Sequence, residues 1–408
     1  MNKSNCRISK QDDLIEVFDL GSHYMCGEFP SSIYEDIEKG RLALGWSPSS
    51  GLLQLSEDRD ITSMYGQNYG YRSGLNSSMV EHLRKKVEYL LELSSINNKK
   101  CVLDIGSNDG TLLSNYSNDL IRIGIDPTIV KYGKYYQEDI IKLADFFSNE
   151  NFNKVSQGYK ADIITSISMF YDLPDPNLFV ANIREVMSSQ GIWNLEQSYM
   201  PSMLRTNSYD TVCHEHLEYY SLYVIKKLLE KNHLRILDVV FNRINGGSFS
   251  VTVCHQDSKY ESNMPIINWM LSQEDRMNLN TPYPYREFER KAYTHRSDLK
   301  GLIKAINLSD KKIAGYGAST KGNVILQFCQ LTSEEIYGIA EVNEDKFNKF
   351  TPGSNIPILS ETEIKSTHPD YMLVLPWHFR ENIIEREKEY LRKGGKLIFP
   401  LPEIEIVG

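Results

Sequence analysis

The sequence predicts an α/β protein with more than one domain. Two stretches, residues 99–255 and 311–408, alternate strand-like and helix-like segments, which is the pattern of mostly parallel sheets. Each series opens with a strand that runs into a glycine turn, at Gly106 and at Gly315. A chain of 408 residues also exceeds one ordinary hydrophobic core. We therefore expect two Rossmann-like α/β domains and a small β-rich module at the N-terminus.

The predicted elements follow in a simple order. Residues 1–65 hold short strands and turns, and residues 76–95 have apolar positions near helical spacing, which predicts a helix. The first series has predicted strands at residues 100–106, 121–126, 161–167, 191–197, 235–241 and 247–255. A helical connector over residues 270–306 is predicted to break around Pro282 and Pro284. The second series has predicted strands at residues 311–320, 336–343, 371–377 and 395–402.

The composition excludes several classes of partner. Net charge is −9 and no run of Lys and Arg stands out, which argues against nucleic acid and against a polybasic membrane anchor. No apolar stretch reaches the length of a membrane span, and the first residues lack the apolar core of a signal peptide. The six cysteines are scattered without paired spacing, as in a reducing compartment. We expect a cytoplasmic monomer or homodimer.

The first glycine turn, called the first glycine loop (residues 106–110), has the spacing G-x-x-x-G and not the dinucleotide spacing G-x-G-x-x-G. A helix is predicted to follow it. S-adenosylmethionine has no phosphate and presents an ammonium group, which a carboxylate such as Asp104 suits. Asp126 ends the next strand and could bond ribose hydroxyls. A purely structural turn is the alternative. The predicted donor site comprises Asp104, Gly106, Ser107, Asn108, Gly110, Asp126, Asp145 and Phe146, the last two beside the adenine.

The second glycine turn, called the second glycine loop (residues 315–321), suits phosphates better. Backbone N–H groups, Ser319 and Lys321 can converge on a diphosphate. Glu341 follows at the sequence distance of a ribose-binding carboxylate. Thr320 occupies the third glycine position of the dinucleotide fingerprint, so that match is imperfect. A site for NAD, a site for a nucleotide sugar and a plain glycine turn with a solvated lysine all stay open.

The segment DTVCHEHLEYYS, called the histidine segment (residues 210–221), places His214 and His216 on either side of Glu215. The spacing differs from H-E-x-x-H, which excludes that zinc-protease motif. Two histidines and a carboxylate could ligate a metal, and on a strand both imidazoles would share a face. A polar surface loop is a further alternative. A base, an acid and phenols in one segment otherwise indicate proton transfer.

Several stretches together resemble the nucleotide-sugar C-methyltransferases, which add a branching methyl group to 4-keto-deoxysugars. They are YGYRSG (69–74), VLDIGSNDGTLL (102–113), LPDP (173–176), the long stretch 195–222, NGGSFSV (245–251) and IAGYGASTKGN (313–323). The resemblance covers nearly the whole chain. It implies a zinc-binding N-terminal module (1–65), a central class I methyltransferase domain that binds S-adenosylmethionine (66–255), a helical connector (256–310) and a C-terminal α/β domain for the nucleotide sugar (311–408).

The chain departs from the family pattern in three places. The two C-x-x-C pairs of the zinc module read Cys6-x-x-Ser9 and Ser47-x-x-Ser50 here. One cysteine and three serines cannot make a tetrahedral zinc site, so we predict a degenerate module without structural zinc. Cys213 stands where some members have a tyrosine, and Asp172 stands where some have a histidine. These two changes leave the substrate open.

The resemblance implies that a proton leaves the carbon beside the ketone and that the enolate attacks the methyl group of S-adenosylmethionine. His216 would be the base, and Glu215 would orient it or a neighbouring donor. Tyr71 and His214 could donate to the enolate oxygen. Substrate contacts are predicted at Tyr71, Asn245, Ser319, Lys321, Asn323, Glu341, Trp377, His378 and Arg380.

The product of such a reaction would serve a surface polysaccharide or a glycosylated metabolite. Three alternatives stay open. The chain could be an O- or N-methyltransferase of a sugar. It could be a catalytically inactive paralogue that binds nucleotide sugars. It could also be a redox enzyme with NAD on the second glycine loop, which Thr320 argues against mildly.

Overall fold

The computed structural model describes residues 5–57, 71–94, 101–242 and 246–408. In chain order its strands are β1 Ile15–Tyr24, β2 Lys39–Trp46, β3 Leu53–Leu55, β4 Cys101–Ile105, β5 Ile121–Ile125, β6 Ile141–Leu143, β7 Ala161–Ile167, β8 Met187–Ser198, β9 Glu218–Tyr219, β10 Leu234–Asn242, β11 Ser248–His255, β12 Ile313–Tyr316, β13 Ile339–Glu341, β14 Ile358–Ser360, β15 Tyr371–Val374, β16 Lys396–Phe399 and β17 Glu405–Val407.

The helices are α1 Ser77–Leu93, α2 Ile129–Tyr132, α3 Asn149–Val155, α4 Pro176–Val186, α5 Met200–Arg205, α6 Leu222–Lys231, α7 Met264–Arg276, α8 Tyr283–Leu308, α9 Thr320–Phe328, α10 Glu361–Ser366, α11 Arg380–Arg386 and α12 Lys388–Arg392. Helix α1 confirms the amphipathic pattern read over residues 76–95, and it buries Leu83, Val87 and Leu90. None of the helices within the described ranges combines the length and apolar character that a bilayer crossing requires.

The central sheet, over the described residues, has the order β10-β11-β8-β7-β4-β5-β6. Strands β4 to β8 pair in parallel, and β11 runs antiparallel to both of its neighbours. The last strand of the sheet along the chain is therefore inserted next to the fifth, which is the class I methyltransferase arrangement. Because parallel strands end at one edge, the turns after β4, β5 and β7 meet there. The predicted mostly parallel sheet is confirmed.

The C-terminal sheet, over the same described residues, has the order β14-β13-β12-β15-β16-β17, and β17 is its antiparallel strand. The strand order reverses at β12, which pairs with β13 on one side and β15 on the other. Open α/β sheets form a ligand crevice at such a reversal. The second glycine loop follows β12 directly. The prediction of a second Rossmann-like domain is also confirmed.

The N-terminal sheet borrows a strand from the histidine segment. In the described residues its order is β1-β2-β3-β9, and Leu53 of β3 pairs with Tyr219 of β9. One hydrophobic cluster contains side chains of this sheet, the histidine segment, α8 and the C-terminal sheet. The histidine segment is thus packed against the N-terminal module and the C-terminal domain as well as the central domain. The predicted domain boundaries stay predictions.

The four positions of the degenerate zinc module lie together. The Cys6 thiol and the Ser50 hydroxyl are 3.1 Å apart, and the Ser9 N–H donates to Cys6 Sγ at 3.4 Å. The Ser47 hydroxyl donates to Asp13 at 2.9 Å. One thiol and three hydroxyls do not fit zinc, whose structural sites need four thiolate or imidazole ligands. No group of three or more His, Cys, Asp or Glu side chains that could hold a metal ion occurs among the described residues.

Two local predictions are wrong. A 3₁₀ turn over Leu113–Asn115 follows the first glycine loop in place of the predicted helix. Pro282 and Pro284 do not break the connector but begin helix α8, as its N-cap and in its first turn. A proline there removes no helical hydrogen bond, because the first N–H groups of a helix have no partner within it.

Candidate active site

The first glycine loop needs glycine at both ends. Gly106 and Gly110 have φ angles of +71° and +77°, where side chains are strained. A Cβ on Gly110 would also lie 2.8 Å from the Tyr136 ring. Asn108 between them is left-handed too, and its N–H donates to Asp126 Oδ2 at 2.8 Å. The carboxylate after β5 therefore fixes the shape of the loop after β4.

Asp104 lies buried at the carboxyl end of β4. It accepts a hydrogen bond from Thr165 Oγ1 at 2.6 Å, and burial raises its pKa to about 7. Asp126 accepts backbone N–H groups on both oxygens and keeps a lone pair on each. Two carboxyl groups beside an open glycine loop fit the ammonium group and the ribose hydroxyls of S-adenosylmethionine.

The other donor-site candidates surround this loop. Ser107 Oγ lies 2.7 Å from the Tyr136 hydroxyl, beneath the loop. Asp145 and Phe146 follow β6 at the same sheet edge, and the Phe146 N–H donates to Asp145 Oδ1 at 2.7 Å. Phe146 is 46% exposed, so its ring is open to contact with a bound adenine.

The segment before α1 closes over the first glycine loop. The Ser73 N–H donates to Asn108 Oδ1 at 3.0 Å, and the Gly74 N–H donates to Asp109 Oδ2 at 2.9 Å. Asn108 Nδ2 in turn donates to the Tyr71 carbonyl at 3.1 Å. These bonds hold Tyr71 at the loop, where its side chain is 44% exposed.

The histidine segment forms a turn at residues 214–215, and its two imidazoles reach different partners. His214 is buried, with Nε2 3.2 Å from the Gly40 carbonyl oxygen. His216 Nδ1 lies 2.8 Å from the Thr211 carbonyl oxygen. Because a carbonyl only accepts, Nδ1 carries the hydrogen and Nε2 of His216 keeps its lone pair. Imidazoles held by separate carbonyls do not favour the metal alternative.

His216 is kept neutral by its surroundings. Its ring packs on Tyr171, with centroids 4.4 Å apart, in a narrow cavity that Glu218 and Tyr219 also line. Burial, and then the charge of Lys321, lowers the pKa of His216 to about 3, although the Thr211 carbonyl acts in the opposite direction. A neutral imidazole with an available lone pair can accept a proton.

Glu215 lies against the N-terminal module. A Cβ on Gly27 would be 2.3 Å from Glu215 Oε1 and 3.7 Å from Thr320 Oγ1. Burial raises the pKa of Glu215. Burial and then Glu215 raise the pKa of Cys213 well above its usual value, with a smaller contribution from Asp172. Both departures from the family pattern therefore share one buried neighbourhood with Glu215.

Side chains with charged or polar ends fix the second glycine loop. Ser319 caps α9 by accepting a backbone N–H at 3.0 Å. Glu341 accepts the Ala318 N–H at 2.8 Å, and Lys346 donates to the Ala318 carbonyl at 2.7 Å. The predicted ribose contact at Glu341 stays a prediction, because this carboxylate already holds the loop backbone.

The end of β15 brings the C-terminal domain to the histidine segment. Trp377 Nε1 donates to Asp210 Oδ2 at 2.8 Å. A Cβ on Gly246, in the turn before β11, would lie 3.5 Å from the Trp377 ring. Burial and then Lys321 lower the pKa of His378 to about 3. Lys321, Trp377 and His378 therefore adjoin the histidine segment.

Two predicted substrate contacts have other partners. Asn323 is buried and donates to the Cys26 carbonyl at 2.7 Å, which joins α9 to the N-terminal module. Arg380 pairs with Glu405 at the surface, with Nε 2.8 Å from Oε2. Asn245 lies outside the described residues. The substrate roles of all three stay predictions.

Sequence analysis missed four residues of the site: Gly27, Tyr171, Asp210 and Lys346. Tyr171 and Asp210 carried a signal, because they stand in MFYDLPDP and DTVCHEH beside the positions that were singled out. Gly27 and Lys346 carried none. Their contacts join parts of the chain that no local pattern connects.

Comparisons with known sequences cover both α/β domains. Residues 75–239 match the family described as "Methyltransferase domain", and residues 243–402 match the family described as "C-methyltransferase C-terminal domain". The C-methyltransferase NovU of Streptomyces niveus is 28% identical over 408 residues, which is 98% of this chain and 96% of that protein.

Solved structures are similar over less than half of the chain. The Haloferax volcanii complex of the Trm112 methyltransferase activator with a methyltransferase matches with a TM-score of 0.36 and 13% identity, covering 45% of this chain and 94% of that chain. The N-methyltransferase NodS of Bradyrhizobium japonicum matches with a TM-score of 0.33 and 16% identity, covering 44% and 99%. Both matches concern fold alone.

Proposed function

We propose that this chain, an S-adenosylmethionine-dependent methyltransferase of the C-methyltransferase family, methylates the carbon beside the ketone of a nucleotide-diphosphate 4-keto-deoxysugar. The observation that carries the proposal is the surroundings of His216. On one side the ring packs on Tyr171, in the turn after β7 whose Met169 lies against Gly106. On the other side the charge of Lys321 reaches it from the second glycine loop.

In the proposed reaction His216 Nε2 takes the proton from the carbon beside the ketone, and the electron pair of that C–H bond enters the enolate. S-adenosylmethionine supplies an electrophilic methyl group, so that a C–C bond forms while the S–CH₃ bond breaks. A positioned base contributes roughly 10²–10⁴-fold to such a step. Tyr71 and His214 are the proposed donors to the enolate oxygen, each worth on the order of 3 kcal/mol.

The diphosphate of the substrate would bind at the second glycine loop. The free N–H groups at the start of a helix favour anions, and α9 begins there with Lys321 in its first turn. The turn after β15 and the turn before β11 flank this place through Trp377 and Gly246. Such a site would hold the nucleotide in the C-terminal domain and extend the sugar toward the histidine segment.

Hydrogen exchange tests the proposal without methyl transfer. The enzyme is incubated in deuterated water with S-adenosylhomocysteine and a nucleotide-diphosphate 4-keto-6-deoxysugar. We expect deuterium at the carbon beside the ketone, detected by mass spectrometry and NMR, and no enzyme-dependent exchange with the His216→Asn variant. Methyl transfer to the sugar without any exchange would identify an O- or N-methyltransferase. Binding of the sugar nucleotide with neither exchange nor transfer would identify an inactive paralogue.

A further inference from the structure

The second glycine loop is packed directly against the residues that hold the histidine segment. A Cβ on Gly317 would lie 2.8 Å from Pro376, so the loop and the end of β15 are in van der Waals contact. The next residue, Trp377, donates to Asp210 of the histidine segment at 2.8 Å. Asp210 is 1% exposed. An event at the loop is therefore transmitted through few atoms to the base.

Lys321 carries a charge that three groups at this contact feel. Its cation disfavours the protonated forms of His216 and His378, and it favours the ionised form of Asp210. Thr320, the neighbour of Lys321, lies beside Glu215 at Gly27, which independently brings the start of α9 to the histidine segment.

The other groups around His216 do not offset this cation. The titratable groups near the imidazole, besides Lys321, are Tyr171, Asp172, Asp210, Cys213, Glu215, Glu218, Tyr219 and His378. Burial raises the pKa of Glu215 and of Glu218, which disfavours the negative charge that would balance Lys321. His216 Nδ1 is bound to a neutral carbonyl. The proton affinity of His216 is therefore exposed to whatever neutralises Lys321.

We propose that Lys321 is a specificity-determining residue, which makes His216 an effective base only when the second glycine loop holds a diphosphate. This inference rests on the proposed function. A diphosphate beside Lys321 compensates its charge, so the imidazolium that forms during proton abstraction is no longer repelled. A ketosugar without the diphosphate would reach the cleft but meet a weak base. Selectivity for nucleotide sugars would then be expressed in the proton-transfer step as well as in binding.

NMR of protein labelled with ¹⁵N-histidine tests this coupling, with inorganic pyrophosphate as the probe. The His216 signals are assigned by their loss in His216→Asn and followed between about pH 5 and 8. We expect saturating pyrophosphate to move the His216 titration upward by about one pH unit or more in the wild type. Lys321→Met should show a comparable upward move without pyrophosphate, and little further change with it.

Two controls separate charge from structure. Lys321→Arg keeps the charge and should titrate like the wild type. Lys311→Met removes an exposed cation that pairs with Asp370 before β12, and it should also titrate like the wild type. The proposal is overturned if Lys321→Met titrates like the wild type, or if pyrophosphate leaves the wild-type titration unmoved or moves both proteins equally. Because the readout needs no sugar, a failed exchange experiment with an intact coupling would reject the substrate alone.

Discussion

His216 presents one nitrogen for chemistry, since the Thr211 carbonyl occupies the other. Replacement by asparagine keeps a polar side chain but removes the base. We expect His216→Asn to lower methyl transfer by roughly 10²–10⁴-fold. Binding of S-adenosylhomocysteine, measured by calorimetry, should stay within twofold of the wild type, because the donor-site candidates surround the first glycine loop.

The matched control is His368→Asn. His368 is exposed and left-handed (φ +51°), a conformation that asparagine tolerates, so methyl transfer should not change. Full turnover in His216→Asn would reject His216 as the base.

Asp104 gives the donor site a pH dependence. Its folded pKa of about 7 means that much of it is protonated below neutrality. An ammonium group needs the ionised form, so binding below pH 7 must release a proton. We expect the affinity for S-adenosylmethionine to rise up to about tenfold from pH 6 to pH 7 and to level off above. Calorimetry on Asp104→Asn should show weaker binding without this rise. The same rise in the variant would assign the pH dependence to another group.

At the scale of elements, the N-terminal module keeps the geometry of a metal site without its chemistry. Burial would raise the pKa of the Cys6 thiol, but hydrogen bonds from Ser47, Ser50 and Ser9 lower it on balance. The variant Ser9→Cys/Ser47→Cys/Ser50→Cys would supply four thiols. We expect it to bind cobalt(II) with thiolate charge-transfer absorption and to gain thermal stability with zinc.

The corresponding triple alanine variant is the control for this experiment. It should bind no cobalt and melt at the same temperature with and without zinc. Absence of cobalt absorption in the folded triple cysteine variant would show that the four positions no longer converge tightly enough for a tetrahedral site.

For the whole molecule, buried neutral histidines predict loss of stability in acid. The folded pKa values of His216 and His378 are about 3, against 6.5 for an ordinary histidine. Above pH 6.5 both states are neutral, whereas below it only the unfolded chain takes up the protons, until the folded pKa is reached. The free energy of unfolding should therefore fall by at most about 1.4 kcal/mol per pH unit for each histidine.

Urea denaturation between about pH 5 and 7 measures this effect. The double variant His216→Asn/His378→Asn should lose stability less steeply than the wild type as the pH falls, while His368→Asn should follow the wild type. Equal slopes in the double variant and the wild type would mean that neither imidazole is held neutral by the fold.

Prediction from sequence succeeded where a local pattern constrains the backbone. Helix α1 follows from apolar spacing, and the turn at Gly106 and Gly110 follows from glycines that adopt positive φ. It failed where the same local signal has two outcomes. Pro282 and Pro284 can break a helix or begin one, and the connector packing decides for a beginning.

The sequence by itself determined the two α/β sheets, the two glycine loops and the segment that bears the histidines, because residue spacing and glycine content act on neighbours along the chain. Only the tertiary structure decided which of these meet. Asp210 and Trp377 are 167 positions apart, and the histidine segment gives a strand to the N-terminal sheet. Such contacts depend on how hydrophobic faces of separate elements pack together, and a pattern confined to one element carries no information about its partner.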